Sequence, residues 1–252
     1  MSFIDVTPKN LEKEHICCAI SDKKRECCVS SKKMWMMDRF SDGLVFKKLD
    51  ARGKVFIEYI PAEKAWCPIS APNYMYINCF WVSGQFKGQG YANRLLEHCI
   101  VDAKTKGKCG LTVLSSHKKL PFLSDPQYLK HKGFLVGDTA LPSFELLYLP
   151  FDDSAPVPKF NSQAKEGVIA EKGLVLYYSH QCPHTAKYVP LIAEVANQHG
   201  VKLELRKIET TQEAQNMPSP WATYSLFYHG NFVTNEILSE KKFEKMLEKW
   251  GL

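Results

Sequence analysis

Three stretches of this 252-residue chain carry side chains and spacings suited to chemistry. In CFWVSGQFKGQGYANRLLEHCI, Cys79–Ile100, the glycines Gly88 and Gly90 separate an apolar, aromatic run from a helical pattern. Backbone N–H groups converging at a helix N-terminus hold a phosphate, and glycine lets the chain approach it closely. The spacing is not Gly-x-x-x-x-Gly-Lys-Ser/Thr, which excludes a P-loop, and Asn93 stands where Gly-x-Gly-x-x-Gly needs its third glycine. In VFIEYIP, Glu58 is a lone acid in an apolar strand, on the face opposite Ile57 and Tyr59. Buried there it would suit proton abstraction; on a solvated face it would be inert. His117, just past a strand end, is the other candidate base. In LVLYYSHQCPHT, Cys182 lies between a strand and a helix, where the helix N-terminus would favour a thiolate.

These residues need elements to position them. KVFIEYIP and NYMYINCFWV read as strands rich in aromatic and β-branched residues. NLEKEHICCAI and YANRLLEHCIVDAKTKG read as helices, the second with Leu95, Leu96, Cys99 and Ile100 on one face. CGLTVLSS is a further strand, SDPQYLKHKGF a short helix and FELLYLPF a last strand, giving a mixed α/β unit over residues 1–150. LPFDDSAPVPKFNSQAKEG holds three prolines and few apolar residues, so 151–170 reads as a linker. From 171 to 252 the pattern restarts as β-α-β-α-β-β-α: LVLYYS, TAKYVPLIAEVANQHG, VKLELRKI, TTQEAQN, TYSLFYHG, NFVTNEI and SEKKFEKMLEKW.

Composition bounds the rest. Apolar residues make up 45% of the chain and charged residues 24%, which suits a packed core and argues against disorder. No apolar run reaches the length of about 18 residues that marks a membrane span, and MSFIDVTPKN lacks the basic flank and apolar core of a signal segment. The chain therefore reads as cytoplasmic. Its nine cysteines, including the vicinal pairs Cys17-Cys18 and Cys27-Cys28, form no Cys-x-x-Cys hook, so reduced thiols and no metal are expected. The net charge of +6 is scattered among glutamates, which suits an anionic cofactor better than nucleic acid.

Lys87-Gly88-Gln89-Gly90-Tyr91-Ala92, with Val82 five residues ahead, resembles the acyl-CoA signature Gln/Arg-x-x-Gly-x-Gly/Ala of the GNAT acetyltransferase superfamily. Lys87 departs from Gln/Arg, but that loop works mainly through main-chain N–H groups. The resemblance spans roughly residues 3–150 and implies an acyl-CoA N-acyltransferase fold. It also implies acetyl-CoA as co-substrate and transfer to a primary amine by direct attack in a ternary complex. It further implies that Phe80, Trp81 and Val82 line the thioester arm, although Trp81 taken alone reads first as a core residue. Direct attack needs a base, Glu58 or His117, and an acid for the leaving thiolate. The family places a tyrosine four residues before a Gly-Phe pair. Gly133-Phe134 is present, yet Leu129 holds that position and Tyr128 stands one residue earlier, about 100° round a helix. Pro126 would have to make the helix irregular for Tyr128 to serve; otherwise the thiolate leaves unaided.

Cys182-Pro183-His184-Thr185 and the element order after residue 171 resemble the thioredoxin fold in a single-cysteine version, with Thr185 in place of the second cysteine. Ala222 stands where that fold keeps a cis-proline. The two halves together resemble acetyltransferases with a YoaP-type C-terminal domain. The acceptor is then a small-molecule or peptide amine, with no nucleic acid or membrane partner, and a homodimer is allowed. Two readings from other classes stay open: a non-catalytic acyl-CoA-binding module, and a thiol-dependent redox or glutathione-linked enzyme centred on Cys182.

Overall fold

The computed structural model describes residues 1–16 and 26–252, with the backbone alone for 26 and 27. The pair Cys17-Cys18, the side chain of Cys27 and residues 17–20 of the helix expected from Asn10 lie outside the described residues, and over its described residues, 10–16, that helix does not form. The described start of that segment forms turns, with the Leu11 N–H donated to the Thr7 carbonyl at 2.9 Å.

In chain order the first part runs β1 (Phe3–Val6), α1 (Glu26–Phe40), β2 (Val45–Leu49), β3 (Val55–Pro61), β4 (Ile69–Ser70), β5 (Tyr74–Val82), α2 (Tyr91–Thr105), β6 (Gly110–Ser116), α3 (Pro126–His131), β7 (Leu135–Ala140) and β8 (Phe144–Pro150). Among the described residues, these strands build a sheet ordered β1-β2-β3-β5-β6-β8-β7. Its pairs are antiparallel except β5 with β6, which run parallel. Both faces of the sheet are buried, which explains why β3 alternates without a polar face. Val55, Ile57 and Tyr59 pack with Leu95, Leu96, Cys99 and Ala103 of α2. Phe56 and Ile60 pack on the other side with Trp35 and Met36 of α1.

The segment past β8 is not a bare tether. β9 (Lys159–Phe160) pairs antiparallel with β4, and α4 (Ser162–Lys165) follows. Lys165 ion-pairs with Asp138 of β7 at 2.8 Å, and Phe160 is buried in the core that α1 covers.

The last part runs β10 (Leu174–Tyr178), α5 (Pro183–Gln198), β11 (Leu203–Lys207), α6 (Thr211–Gln215), β12 (Tyr224–Tyr228), β13 (Asn231–Thr234) and α7 (Glu240–Trp250). Its sheet is ordered β11-β10-β12-β13, with β10 parallel to β11 and antiparallel to β12. Val189, Ile192 and Val195 of α5 and Phe243 and Leu247 of α7 bury against Leu174, Leu176 and Leu226. α6 carries a capping box, in which Thr210 accepts the Glu213 N–H at 3.1 Å.

The two sheets share one core. Ile208, Ala214, Met217 and Ala222 from the last part pack with Trp66, Cys67 and Tyr76 from the first. Trp66 donates its indole N–H to Thr211 at 3.1 Å, Cys67 its thiol to the Pro220 carbonyl at 3.4 Å, and Gln215 its amide to the Ala65 carbonyl at 3.2 Å. No helix among the described residues is long and apolar enough to cross a membrane.

Candidate active site

The site is organised by one extra residue in β5. Glu58 lies opposite Cys79 and Tyr59 opposite Ile77, so Asn78 has no partner on β3 and forms a β-bulge. The bulge resets the alternation of side chains. Tyr74 and Tyr76 face the α1 side and Met75 and Ile77 the α2 side; past the bulge, Cys79 rejoins the α1 side, whereas Phe80 and Val82 pack toward α2. β5 pairs with β6 only from Tyr74 to Ile77, whereas β6 continues along β8 to Ser116. From Asn78 to Val82 the edge of β5 that would face β6 is therefore released, and its main-chain groups are open to an extended ligand.

Beyond Val82 the chain turns through Gly84–Phe86 and reaches α2 over Lys87, Gly88, Gln89 and Gly90. Gly88 and Gly90 have φ of 75° and 77°, a region that side chains with a Cβ rarely adopt. A Cβ built on either glycine would meet nothing within 4 Å, so no protein atom covers the loop there. Gly90 caps α2 without a side-chain hydrogen bond, which leaves the first-turn N–H groups of Tyr91, Ala92 and Asn93 facing outward. Lys87 is exposed beside them. The Arg94 guanidinium lies 4.8 Å over the Phe3 ring at the same helix end, a second cation that the glycine pattern did not disclose. This donor set fits an anionic diphosphate. Among the described residues, no group of three or more His, Cys, Asp or Glu could hold a metal ion.

Glu58 is 1% exposed and is not a solitary acid. Lys32 of α1, equally buried, contacts its two oxygens at 2.7 and 2.8 Å, and Asn78 donates its amide to Oε1 at 3.1 Å. The Lys32 ammonium also lies 4.1 Å from the Trp35 ring centroid. Because the Asn78 nitrogen is spent on the carboxylate, its Oδ1 is left buried and without a hydrogen-bond partner. His117 is elsewhere. Its side chain is 72% exposed and 3.7 Å from Glu145, in a different depression near Leu141 and Ser143.

The helix that carries Tyr128 is regular. Pro126 occupies the first turn of α3, where proline is tolerated, and Asp125 caps it by accepting the Gln127 N–H at 3.0 Å. Leu129 is the core residue of that helix, 1% exposed, and Tyr128 beside it is partly buried against the α2-side core. Its hydroxyl donates to Asn93 of α2 at 3.2 Å, and its ring meets Phe80 edge-on at 5.6 Å. Burial pushes its phenol up to about 12.

Across the bulge, on the α1 side, lies a cavity of about 400 Å³. Glu58, Asn78, Cys79 and Trp81 line it from the first part, and Gln181, Cys182, His184 and Trp221 from the last. Trp81 is 43% exposed and is thus no core residue. Gln181 is tied to the Trp66 carbonyl at 3.4 Å. Cys182 is the N-cap of α5 and a thiol, with Thr185 fully buried one turn on and donating to the Ser179 carbonyl at 2.6 Å. His180 is held below the usual imidazole range by burial and then by Lys207, so it adds no positive charge near Cys182 at neutral pH. Sequence reasoning missed Lys32, Asn78 and Trp221. Only a charged residue inside an otherwise apolar helix face could have signalled the first.

The Acetyltransferase (GNAT) family model matches residues 13–120, and the YoaP-like model matches residues 203–245. An uncharacterized N-acetyltransferase YoaP of Bacillus subtilis (strain 168) is 47% identical over 247 residues, covering 98% of this chain and 98% of its own. Among solved structures, a GNAT-family acetyltransferase of Staphylococcus aureus Mu50 is 14% identical at a TM-score of 0.43, over 60% of this chain and 99% of that one. The GNAT-family N-acetyltransferase YhbS of Escherichia coli, solved with CoA, is 13% identical at a TM-score of 0.40, over 64% and 89%.

Proposed function

The chain belongs to the GNAT family of acetyltransferases, and on that premise we propose that it moves the acetyl group of acetyl-CoA to a primary amine by direct attack. The observation that carries this reading is a strand edge released from Asn78 to Val82, which leads to a glycine-capped helix and runs beside a cavity lined by a buried carboxylate. The diphosphate of acetyl-CoA lies against the N–H groups of Gly90, Tyr91 and Ala92, within reach of Lys87 and Gln89. Its pantetheine arm follows the edge of β5 past Phe80, Trp81 and Val82, and a strand N–H there stabilises the developing charge on the acetyl oxygen.

The amine enters from the other side of the bulge. The ammonium first gives one proton to Glu58; the lone pair of the neutral nitrogen then bonds to the thioester carbonyl carbon as the carbon–sulfur bond breaks, and the proton left on the new N-acyl nitrogen is shed to solvent. CoA leaves as a thiolate. A phenol raised to about 12 by burial keeps its proton against a group that ionises near 8.5, so Tyr128 serves the thiolate as a hydrogen-bond donor.

We read the C-terminal unit as thioredoxin-like, a reading supported by its strand order and by the parallel β10–β11 pair beside two antiparallel ones. Thr185 in place of a resolving thiol, buried and hydrogen-bonded, argues for a structural use of that fold here. Thiol release from acetyl-CoA, measured over a panel of amines with the full chain, tests the transfer. Binding of acetyl-CoA without release on any amine would leave only a binding module.

A further inference from the structure

We propose that the C-terminal unit completes the acceptor site, and that the site takes a compact monoamine with an apolar, aromatic body. The inference rests on the acetyl-transfer reading and adds the class of amine and the part of the chain that selects it.

The cavity beside Glu58 is a joint product of the two units, and its volume of about 400 Å³ lies toward the small end of ligand pockets, roughly 300–1,000 Å³. Its apolar walls are largely aromatic: Phe56, Trp81 and Leu114 from the strands of the first unit, Leu123 from the loop after β6, and Trp221 from the second unit. The loop that bears Leu123 is itself held by the C-terminal unit, because the buried Asn235 donates its amide to the Pro121 carbonyl at 3.1 Å. Phe122 in that loop has φ of 66°, a costly conformation for a bulky residue, and its ring meets His184 at 6.3 Å.

The lining also carries polar side chains, Gln181, His184 and Thr223 among them, and two of its polar atoms are unsatisfied. Asn78 Oδ1 and Trp221 Nε1 are both buried without a hydrogen-bond partner on residues that line the cavity. The first can only accept and the second can only donate. An amine N–H answers the first, beside the carboxylate that would take its proton. One oxygen acceptor on the body of the substrate answers the second. The charged side chains on the lining are Lys32, Lys54 and Glu58, so the lining carries one carboxylate, held by Lys32, to receive the proton of one ammonium. A second ammonium entering this apolar space would find no second carboxylate and would lose its hydration uncompensated. The cavity therefore discriminates against polyamines and basic peptides.

The test is amine-dependent thiol release by the full chain, with tyramine and tryptamine set against spermidine and a lysine-rich peptide. The aromatic monoamines should show kcat/KM at least tenfold above the polycations. Trp221→Ala should raise the monoamine KM about tenfold while the acetyl-CoA KM moves less than about twofold. Trp221→Phe, which keeps an aromatic ring but removes the N–H, should raise KM for tyramine more than for 2-phenylethylamine. Preference for spermidine or peptide, or an unchanged amine KM in both folded Trp221 variants, overturns the acceptor assignment and leaves acetyl transfer standing. Release with no amine at all, despite acetyl-CoA binding by calorimetry, strikes the transfer reading itself.

Discussion

Replacing Lys32 by methionine should unbalance the centre of the site. Lys32 and Glu58 are each 1% exposed, and the ammonium contacts both carboxylate oxygens at 2.7 and 2.8 Å. Removing one partner of such a pair leaves an uncompensated buried charge, which costs about 3–5 kcal/mol. The Asn78 amide, still at Oε1, offsets only part of that. At about 2–4 °C per kcal/mol for a chain of this size, the midpoint of thermal unfolding should fall by about 6–20 °C. The double variant Lys32→Met, Glu58→Gln carries no buried charge and should recover most of the loss, which makes the pair a coupled cycle. The same protein separates stability from chemistry. It should fold and bind acetyl-CoA, yet release thiol on amines some 10²–10⁴-fold more slowly, the usual worth of a positioned base. Circular-dichroism melts of wild type, Lys32→Met, Glu58→Gln and the double variant, with thiol release at saturating acetyl-CoA, decide the matter. A Lys32→Met protein that melts like wild type, or a folded double variant transferring within tenfold of wild type, would refute the reasoning.

Gly90→Val should lower acetyl-CoA affinity by calorimetry at least tenfold, about 1.4 kcal/mol, because the side chain rises into the donor cradle. Holding a β-branched residue at φ 77° should also cost the fold about 1–2 kcal/mol, measured by denaturant unfolding. Tyr128→Phe should reduce kcat roughly tenfold, a hydrogen bond's worth of about 1–1.5 kcal/mol, with acetyl-CoA affinity retained. Since its phenol is raised to about 12, ionisation of Tyr128 should contribute no alkaline loss of kcat below about pH 11. Burial opposes ionisation of Asp138, but Lys165 and the Thr139 and Phe160 N–H groups prevail and lower its pKa. Its contribution to stability is therefore complete above the unfolded value of about 3.9 and fades as pH falls through the lower folded one; Asp138→Asn should flatten that part of the acid unfolding curve.

The cradle was the most legible feature, because its chemistry is local: two glycines, a preceding valine and a helix start lie within one short stretch. Strands β3, β5, β6 and β8 and the elements of the C-terminal unit were legible from their periodicity. Helix α1 was not, because Lys32 sits on its buried face and breaks the apolar repeat that would announce it. The same residue explains why Glu58 looked solitary; its partner is 26 positions away on another element. The bulge at Asn78 leaves no trace in composition, since an extra residue in a strand is visible only against the strand it pairs with. Trp221 lies far along the chain from Glu58, and only the packing of the two sheets brings them to one cavity.

That shared packing sets what can be inherited or engineered separately. A cut in the proline-rich segment falls where the sequence suggests a linker, yet it would strip Trp66, Cys67 and Tyr76 from Ile208, Met217 and Ala222 and expose both faces to water. Neither half would travel as an independent module. The whole chain should melt as one cooperative transition, and a ligand seated at the N-terminus of α2 would then slow amide exchange even in β12, through no contact of its own.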